Sequence, residues 1–284
     1  MESGPFCRSP DSGSGIGFAG PRVGRVDRLR MPDSAKTLTT GLEIEMNDTR
    51  TTVAPRSVPH GSAFRQPVWV WLVFYMLVFV GLALVLHHAI HGVVNGWHAA
   101  ISFFLAINTM ICWWEISLGL HIGEIEHWHH DPAGQGERPE GTVFLARVGP
   151  RELLSTRLWA RIWSEYAAYD PSYADRGSFG FAIDVGNGWT TLLPGFVFLV
   201  GMSSGTGSPV VLGLVGVILF YQKLYGTCLY LFTFLFNRRW QGRPLGQVVA
   251  MVGGTNGIWI VFPAIGLYVS FRLILENDFR LIWT

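Results

Sequence analysis

The sequence predicts an all-α integral membrane protein, a bundle of five transmembrane helices. Three observations lead there. Apolar residues make up 49% of the 284 and charged residues only 14%, where a soluble domain carries about 25% charge. Five segments are each long enough to cross about 30 Å of hydrocarbon as a helix. Arginines gather in alternate connections between those segments, and that agreement supports the count of five.

Residues 1–66 are rich in Gly, Ser, Pro, Thr and Arg and lack a sustained apolar period. They read as a disordered N-terminal tail, with no signal-peptide core and with Met31 and Met46 as alternative starts. The membrane domain is expected over 67–280. Segment one spans 68–90 and segment two spans 99–123, the latter containing ICWWEISLGLHIG. The connection over 124–179 is the longest. Its DPAGQGERPEG is turn-rich, and RELLSTRLWARIWSEYAAYD reads as an amphipathic helix whose Trp159, Trp163 and Tyr166 suit an interfacial anchor. Segments three (180–202), four (209–236) and five (250–275) carry polar groups of the kind a functional bundle holds at membrane depth. The spacing of Gly253 and Gly257 suits close helix packing and permits a homodimer.

Orientation follows from arginine placement. Arg50, Arg56 and Arg65 precede segment one. Arg138, Arg147, Arg151, Arg157, Arg161 and Arg176 follow segment two, and Arg238, Arg239 and Arg243 follow segment four. The connections after segments one and three have neither Lys nor Arg. This puts the N-terminus in the cytoplasm and the C-terminus on the far side.

The same composition narrows the function classes. A formal net charge of +1 gives no electrostatic reason to expect nucleic acid. Cys7, Cys112 and Cys228 are too scattered for a disulfide framework or a zinc site. HHAIH (87–91) and HWHH (127–130) resemble the histidine boxes of membrane di-iron oxygenases, and would open a metal-dependent hydroxylase reading. All nine histidines, however, lie at or before His130, so the C-terminal half offers no box. Histidines near lipid headgroups are the plainer reading, and no metal is expected.

Ionisable groups at membrane depth are costly, by roughly 2.5–3.5 kcal/mol on insertion scales, so each needs a partner, water or a function. His121 shares a helix face with Glu124, three residues on, while Glu126 points roughly 140° away by helical periodicity. A His–carboxylic acid pair in an apolar pocket makes a proton-donor unit; a polar pair at the interface is the alternative. Asp184 and Asn187 also share a face. A buried Asp resists ionisation unless paired, so it suits a proton donor, a counter-charge for a cationic intermediate, or an interhelix hydrogen bond. Lys223, with Tyr225 nearby, has Asp184 or a segment-two Glu as its candidate partner. Asn256 and Trp259 form the last pair, and a Trp face can steady positive charge; packing is its alternative.

Four stretches of this pattern resemble the emopamil-binding protein family, the sterol double-bond isomerases and relatives that share the EXPERA membrane domain. Cys112-Trp113 followed by His121 is similar to the family's Cys-Trp with a His nine residues after the Cys. IWSEYAAYDPSY (162–173) is similar to its Leu-Trp-Lys-Glu-Tyr-x-x-x-Asp-x-x-Tyr. LYGTCLYLFT (224–233) is similar to its Ile-Tyr-Gly-x-x-Leu-Tyr-Phe-x-Thr, and TNGIWIVFP (255–263) to its Asn-x-x-Trp-x-Val-x-Pro. The likeness runs from segment two onward.

The resemblance implies a five-helix bundle with a pocket open to the membrane, and a reaction that moves a ring double bond. An acid protonates an alkene carbon, a carbocation forms, and a base removes a proton elsewhere. It implies no cofactor and a sterol or other polycyclic isoprenoid lipid as partner. The compartment would be the endoplasmic reticulum in a eukaryote and the plasma membrane in a bacterium. His121, Asn256 and Trp259 match family positions, while Asp184 stands where the family has Glu and Asn187 where it has Thr. The family's second acid falls on Ile125, leaving Glu124 and Glu126 as alternatives. Trp113 and Tyr225 fall in the substrate-binding set, and Lys223 replaces a neutral residue. A non-catalytic lipid-binding relative is the alternative function.

Overall fold

The computed structural model describes residues 64–137 and 141–284. Most of the expected tail, with Cys7, Met31, Met46, Arg50 and Arg56, lies outside the described residues, as does Arg138. Phe64, Arg65 and Gln66 lie inside them and are tied down. Strand β1 (Gln66–Pro67) pairs antiparallel with β2 (Arg147–Val148), and Arg65 donates to the Arg147 carbonyl at 2.8 Å and pairs with Glu152 at 3.0 Å.

Among the described residues ten α-helices follow in order: α1 (Val68–His91), α2 (Gly96–Leu120), α3 (Ile122–His130), α4 (Pro132–Glu137), α5 (Thr156–Ala167), α6 (Phe179–Ser204), α7 (Pro209–Phe236), α8 (Leu245–Val248), α9 (Thr255–Glu276) and α10 (Arg280–Trp283). A π-helical stretch, Val249–Gly254, joins α8 to α9. The four long helices α1, α2, α6 and α7, and the run from Leu245 through α9, are long and apolar enough to cross a membrane. These are the five predicted segments, and the protein is an all-α membrane bundle.

Local chemistry sets the helix ends. The Asn95 side chain accepts from the Trp97 and His98 N–H groups at the start of α2, and Ser178 and Ser208 cap α6 and α7 in the same way. Gly92 and Gly205, at φ 74° and 68°, end α1 and α6 in the left-handed conformation that glycine adopts without strain. Segment two differs from expectation at its end. Rather than running to 123, α2 stops at Leu120, and His121 (φ −119°, ψ 19°) turns the chain into α3.

Packing divides the bundle lengthwise. At the far end, Phe104, Phe198, Phe220 and Leu273 form one apolar core. At the loop end, Trp114, Trp128, Trp159, Trp163, Tyr173 and Tyr230 belong to another, rich in aromatic rings. α2 lies along α6 and α7 along α9. The first contact is close because of Gly188: a Cβ there would meet Glu115 Cβ at 2.8 Å and the Cys112 carbonyl at 3.0 Å. By contrast, a Cβ on Gly253 or Gly257 would meet nothing within 4 Å, so their spacing serves no close helix contact within the chain.

Two sequence expectations change here. The Trp-bearing helix α5 does not present Trp159 and Trp163 as an interfacial anchor. Both are buried, because each indole N–H finds a carbonyl inside: Trp159 donates to Leu153 and Trp163 to Trp114, both at 2.7 Å. α5 therefore folds back and covers the loop end of α2. Nor do the histidines at the far end all face outward. His87 and His98 are buried and stack at 3.9 Å. The His87 ring nitrogens lie 3.1 Å from the Val93 carbonyl and 2.8 Å from that of Ile282. Asn95 donates to the carbonyls of Leu281 and Thr284. Together they clamp α10 to the turn between α1 and α2.

Candidate functional site

A cavity of about 250 Å³ sits inside the loop-end half, between α2, α5, α6, α7 and the first turns of α9. Its walls are mainly aromatic, from Trp114, Trp163, Tyr166, Tyr173, Tyr230 and Trp259. Burial among these rings pushes the Tyr166 phenol up and the Tyr173 phenol well above its ordinary value, so both stay neutral donors. The polar groups that reach the cavity are few: Glu115, Asp184, Asn187, Lys223, Thr227, Thr255 and Asn256. A mostly apolar chamber with a few convergent polar groups is the ordinary form of a small-molecule site.

Helical spacing brings these groups together. On α7, Lys223, Gly226, Thr227 and Tyr230 fall at i, i+3, i+4 and i+7, one face, and all four line the cavity. On α6, Asp184 and Asn187 share a face as predicted, and both line it. Asn256 and Trp259 do the same on α9. Asn187 accepts from Gln222 of α7 at 2.9 Å, and Asn256 donates back to the Val252 carbonyl at 2.7 Å. Tyr230 is aimed by Asp170, which is fully buried: the phenol donates to its carboxylate at 2.9 Å, with Arg239 at 3.4 Å on the other side.

The central charged contact is between Lys223 and Glu115. Lys223 Nζ lies 3.4 Å from Glu115 Oε2, and both side chains are nearly inaccessible, at 2% and 4% exposure. The ammonium also sits 5.1 Å from the centre of the Trp259 ring, within cation–π range. Of the two partners expected for Lys223, a segment-two carboxylate is the one that pairs with it.

The other predicted residues lie elsewhere. Glu124 pairs with His121 at 3.4 Å, as helical spacing suggests, but Arg157 holds it at 2.8 Å and it is 37% exposed. The His121 Nε2 contacts the Thr156 hydroxyl at 2.9 Å. Glu126 turns to Arg176, whose hydrogen bonds hold its carboxyl below the usual range. Neither the His121–Glu124 pair nor Glu126 borders the cavity. The helix is broken at His121, and Arg157 and Arg176 claim the two acids of α3. Trp113 and Tyr225 face outward, at 37% and 50% exposure, and Tyr225 stacks on Tyr221. Trp114, next to Trp113, and Tyr230, five residues after Tyr225, face the cavity instead.

Sequence reasoning passed over Glu115, although it was legible as an acid in mid-segment. It is six residues before His121, about 120° around the helix, so a search centred on His121 looked at the wrong face. No group of three or more His, Cys, Asp or Glu residues converges as a metal site among the described residues. In comparisons with protein-family models and with curated proteins, nothing matches this chain.

Proposed function

We propose that the protein is a double-bond isomerase for a sterol or another polycyclic isoprenoid lipid, working by proton transfer without a redox cofactor. The observation that carries this reading is the cavity itself, where Asp184 and the Glu115–Lys223 pair meet the Trp259 ring inside an aromatic chamber. At about 250 Å³ it is just under the roughly 300–1,000 Å³ of drug-sized sites. It suits the reacting rings of a lipid whose remainder stays in the membrane.

Asp184 is the acid of this mechanism. The Glu115–Lys223 pair has no net charge, so it leaves Asp184 as the carboxyl group with a proton to exchange. Asp184 protonates one alkene carbon and a carbocation forms. The Trp259 face and the Glu115 carboxylate steady it, and a neighbouring carbon gives up a proton to the Asp184 carboxylate that the first step left. The likeness of four stretches to the emopamil-binding protein family supports the same reaction class. His121 and Glu124, held by Thr156 and Arg157 outside the cavity, take no part at the reacting atoms.

One observation favours a second reading, a lipid-binding protein without catalysis. The His121–Glu124 pair, the donor unit expected from the sequence, is outside the cavity and tied to Arg157 and Thr156.

The deciding experiment is conversion of a sterol with an 8(9) double bond by purified protein in liposomes, read by gas chromatography with mass spectrometry. The isomerase reading expects a shifted double bond in wild type and none with Asp184→Asn. Binding without conversion by wild type would leave the second reading.

A further inference from the structure

Lys223 is the residue whose chemistry the isomerase reading leaves unused. The chain has two lysines, Lys36 and Lys223, and Lys223 alone is among the described residues. A lysine at membrane depth is costly and marks function by default. A buried ion pair is, in general, weak evidence for stability, since well-packed apolar residues often do as well.

Three features distinguish this pair from a sealed structural one. Both partners border the cavity, so the amine faces a space that a ligand can enter. The Nζ–Oε2 separation is 3.4 Å, longer than the about 2.7–2.9 Å of a tight charge-assisted bond. The second neighbour of the amine is a Trp ring, which holds it in place without competing as a base. An amine in an apolar pocket beside a carboxylate that can accept its proton is an activated nucleophile toward carbonyl carbon.

We propose that Lys223 captures a carbonyl-bearing polycyclic isoprenoid lipid as an imine in this cavity, with Glu115 as proton acceptor and counter-ion. The inference rests on the cavity being the lipid site and gives the substrate an added ketone or aldehyde. Glu115 takes one proton from the ammonium. The neutral amine adds to the carbonyl carbon, Glu115 hands its proton to the carbinolamine oxygen, and water leaves, so that the carboxylate again faces a protonated imine. The net change is carbonyl plus amine to imine plus water, with no electrons exchanged. The protonated imine draws electrons from the adjacent C–H bond. In a lipid with a β,γ double bond, the Glu115 carboxylate takes that proton, giving a dienamine, and returns it to the far alkene carbon. Hydrolysis frees the lysine, and the double bond has moved into conjugation.

The test is reductive trapping. Wild-type protein in phosphatidylcholine nanodiscs is incubated with cholest-5-en-3-one and sodium cyanoborohydride, and then digested for peptide mass mapping. The expected result is a borohydride-dependent adduct on Lys223, retained in Lys36→Arg, lost to background in Lys223→Arg and in the charge-free pair Glu115→Gln/Lys223→Met. Trapping on wild type needs no variant to fold. An adduct confined to Lys36 or the N-terminal amine, or no adduct, overturns the inference. A parallel arm with the 8(9) sterol, which has no carbonyl, separates the two claims. Conversion of that sterol without ketone trapping sinks the imine and leaves the isomerase reading. Ketone trapping without sterol conversion supports the imine and removes the carbocation route.

Discussion

Trp163 of α5 donates its indole N–H to the backbone carbonyl of Trp114 in α2 at 2.7 Å, which joins a loop helix to a membrane helix beside the cavity. Both rings line that cavity, so the bond ties the cover to the wall. Trp163→Phe keeps a ring and removes the donor, and about 1 kcal/mol of stability should go with it. Trp163→Ala should cost about 3–5 kcal/mol. Thermal unfolding in detergent would rank the two; equal effects would mean that the bond contributes nothing beyond ring burial.

The Glu115–Lys223 pair should behave as a unit. Removing either partner leaves an uncompensated charge, so Glu115→Gln and Lys223→Met should each cost about 3–5 kcal/mol. The double substitution should recover most of that loss. A double-mutant cycle on thermal stability measures the coupling, and additive losses would show that the two side chains do not sense each other.

Glu126 gives a pH signature away from the cavity. Hydrogen bonds from Arg176 lower its folded-state value, so its contribution is present above the ordinary Glu value and is lost as pH falls through the lowered one. The stability difference between wild type and Arg176→Ala should be largest at neutral pH and vanish in acid. Denaturation profiles across pH 7 to 2 check this. Glu126→Gln should leave lipid conversion unchanged, since the residue does not reach the cavity.

Two glycines should respond in opposite ways to alanine. At Gly188 the added Cβ meets Glu115 and the α2 backbone, and about 1–3 kcal/mol of stability should be lost. At Gly257 it meets nothing, and the helix should gain about 0.5–1 kcal/mol. Melting temperatures of both variants, in the same detergent, decide it.

The helices were legible because hydropathy and arginine placement are additive along the chain. Segment four was readable to the residue, with Pro209 at its start and Asn237 beyond its end. The Asp184–Asn187 and Asn256–Trp259 pairs were legible for the same reason, since spacing of three keeps one helix face. What was not legible depended on tertiary contacts. Nothing in the local sequence says that α2 breaks at His121, and that break decides where Glu124 and Glu126 point. Trp159 and Trp163 have the composition of an interfacial belt, and only the carbonyls of Leu153 and Trp114 turn them inward. A rotation of about 100° separates Trp113 from Trp114, which a motif cannot resolve.

The clamp at the far end also fixes where the bundle is stiff. His87 and Asn95 hold the carbonyls of Leu281, Ile282 and Thr284, so α1, α2 and the chain's last turn move there as one piece. The cavity is at the other end, where α9 begins after a π-helical stretch with longer-reaching i→i+5 bonds and with glycines that touch no neighbour. α9 packs along α7, so the one irregular stretch of its run is the π-helical turn just before Asn256 and Trp259, and the chamber is built where the helix backbone is least regular.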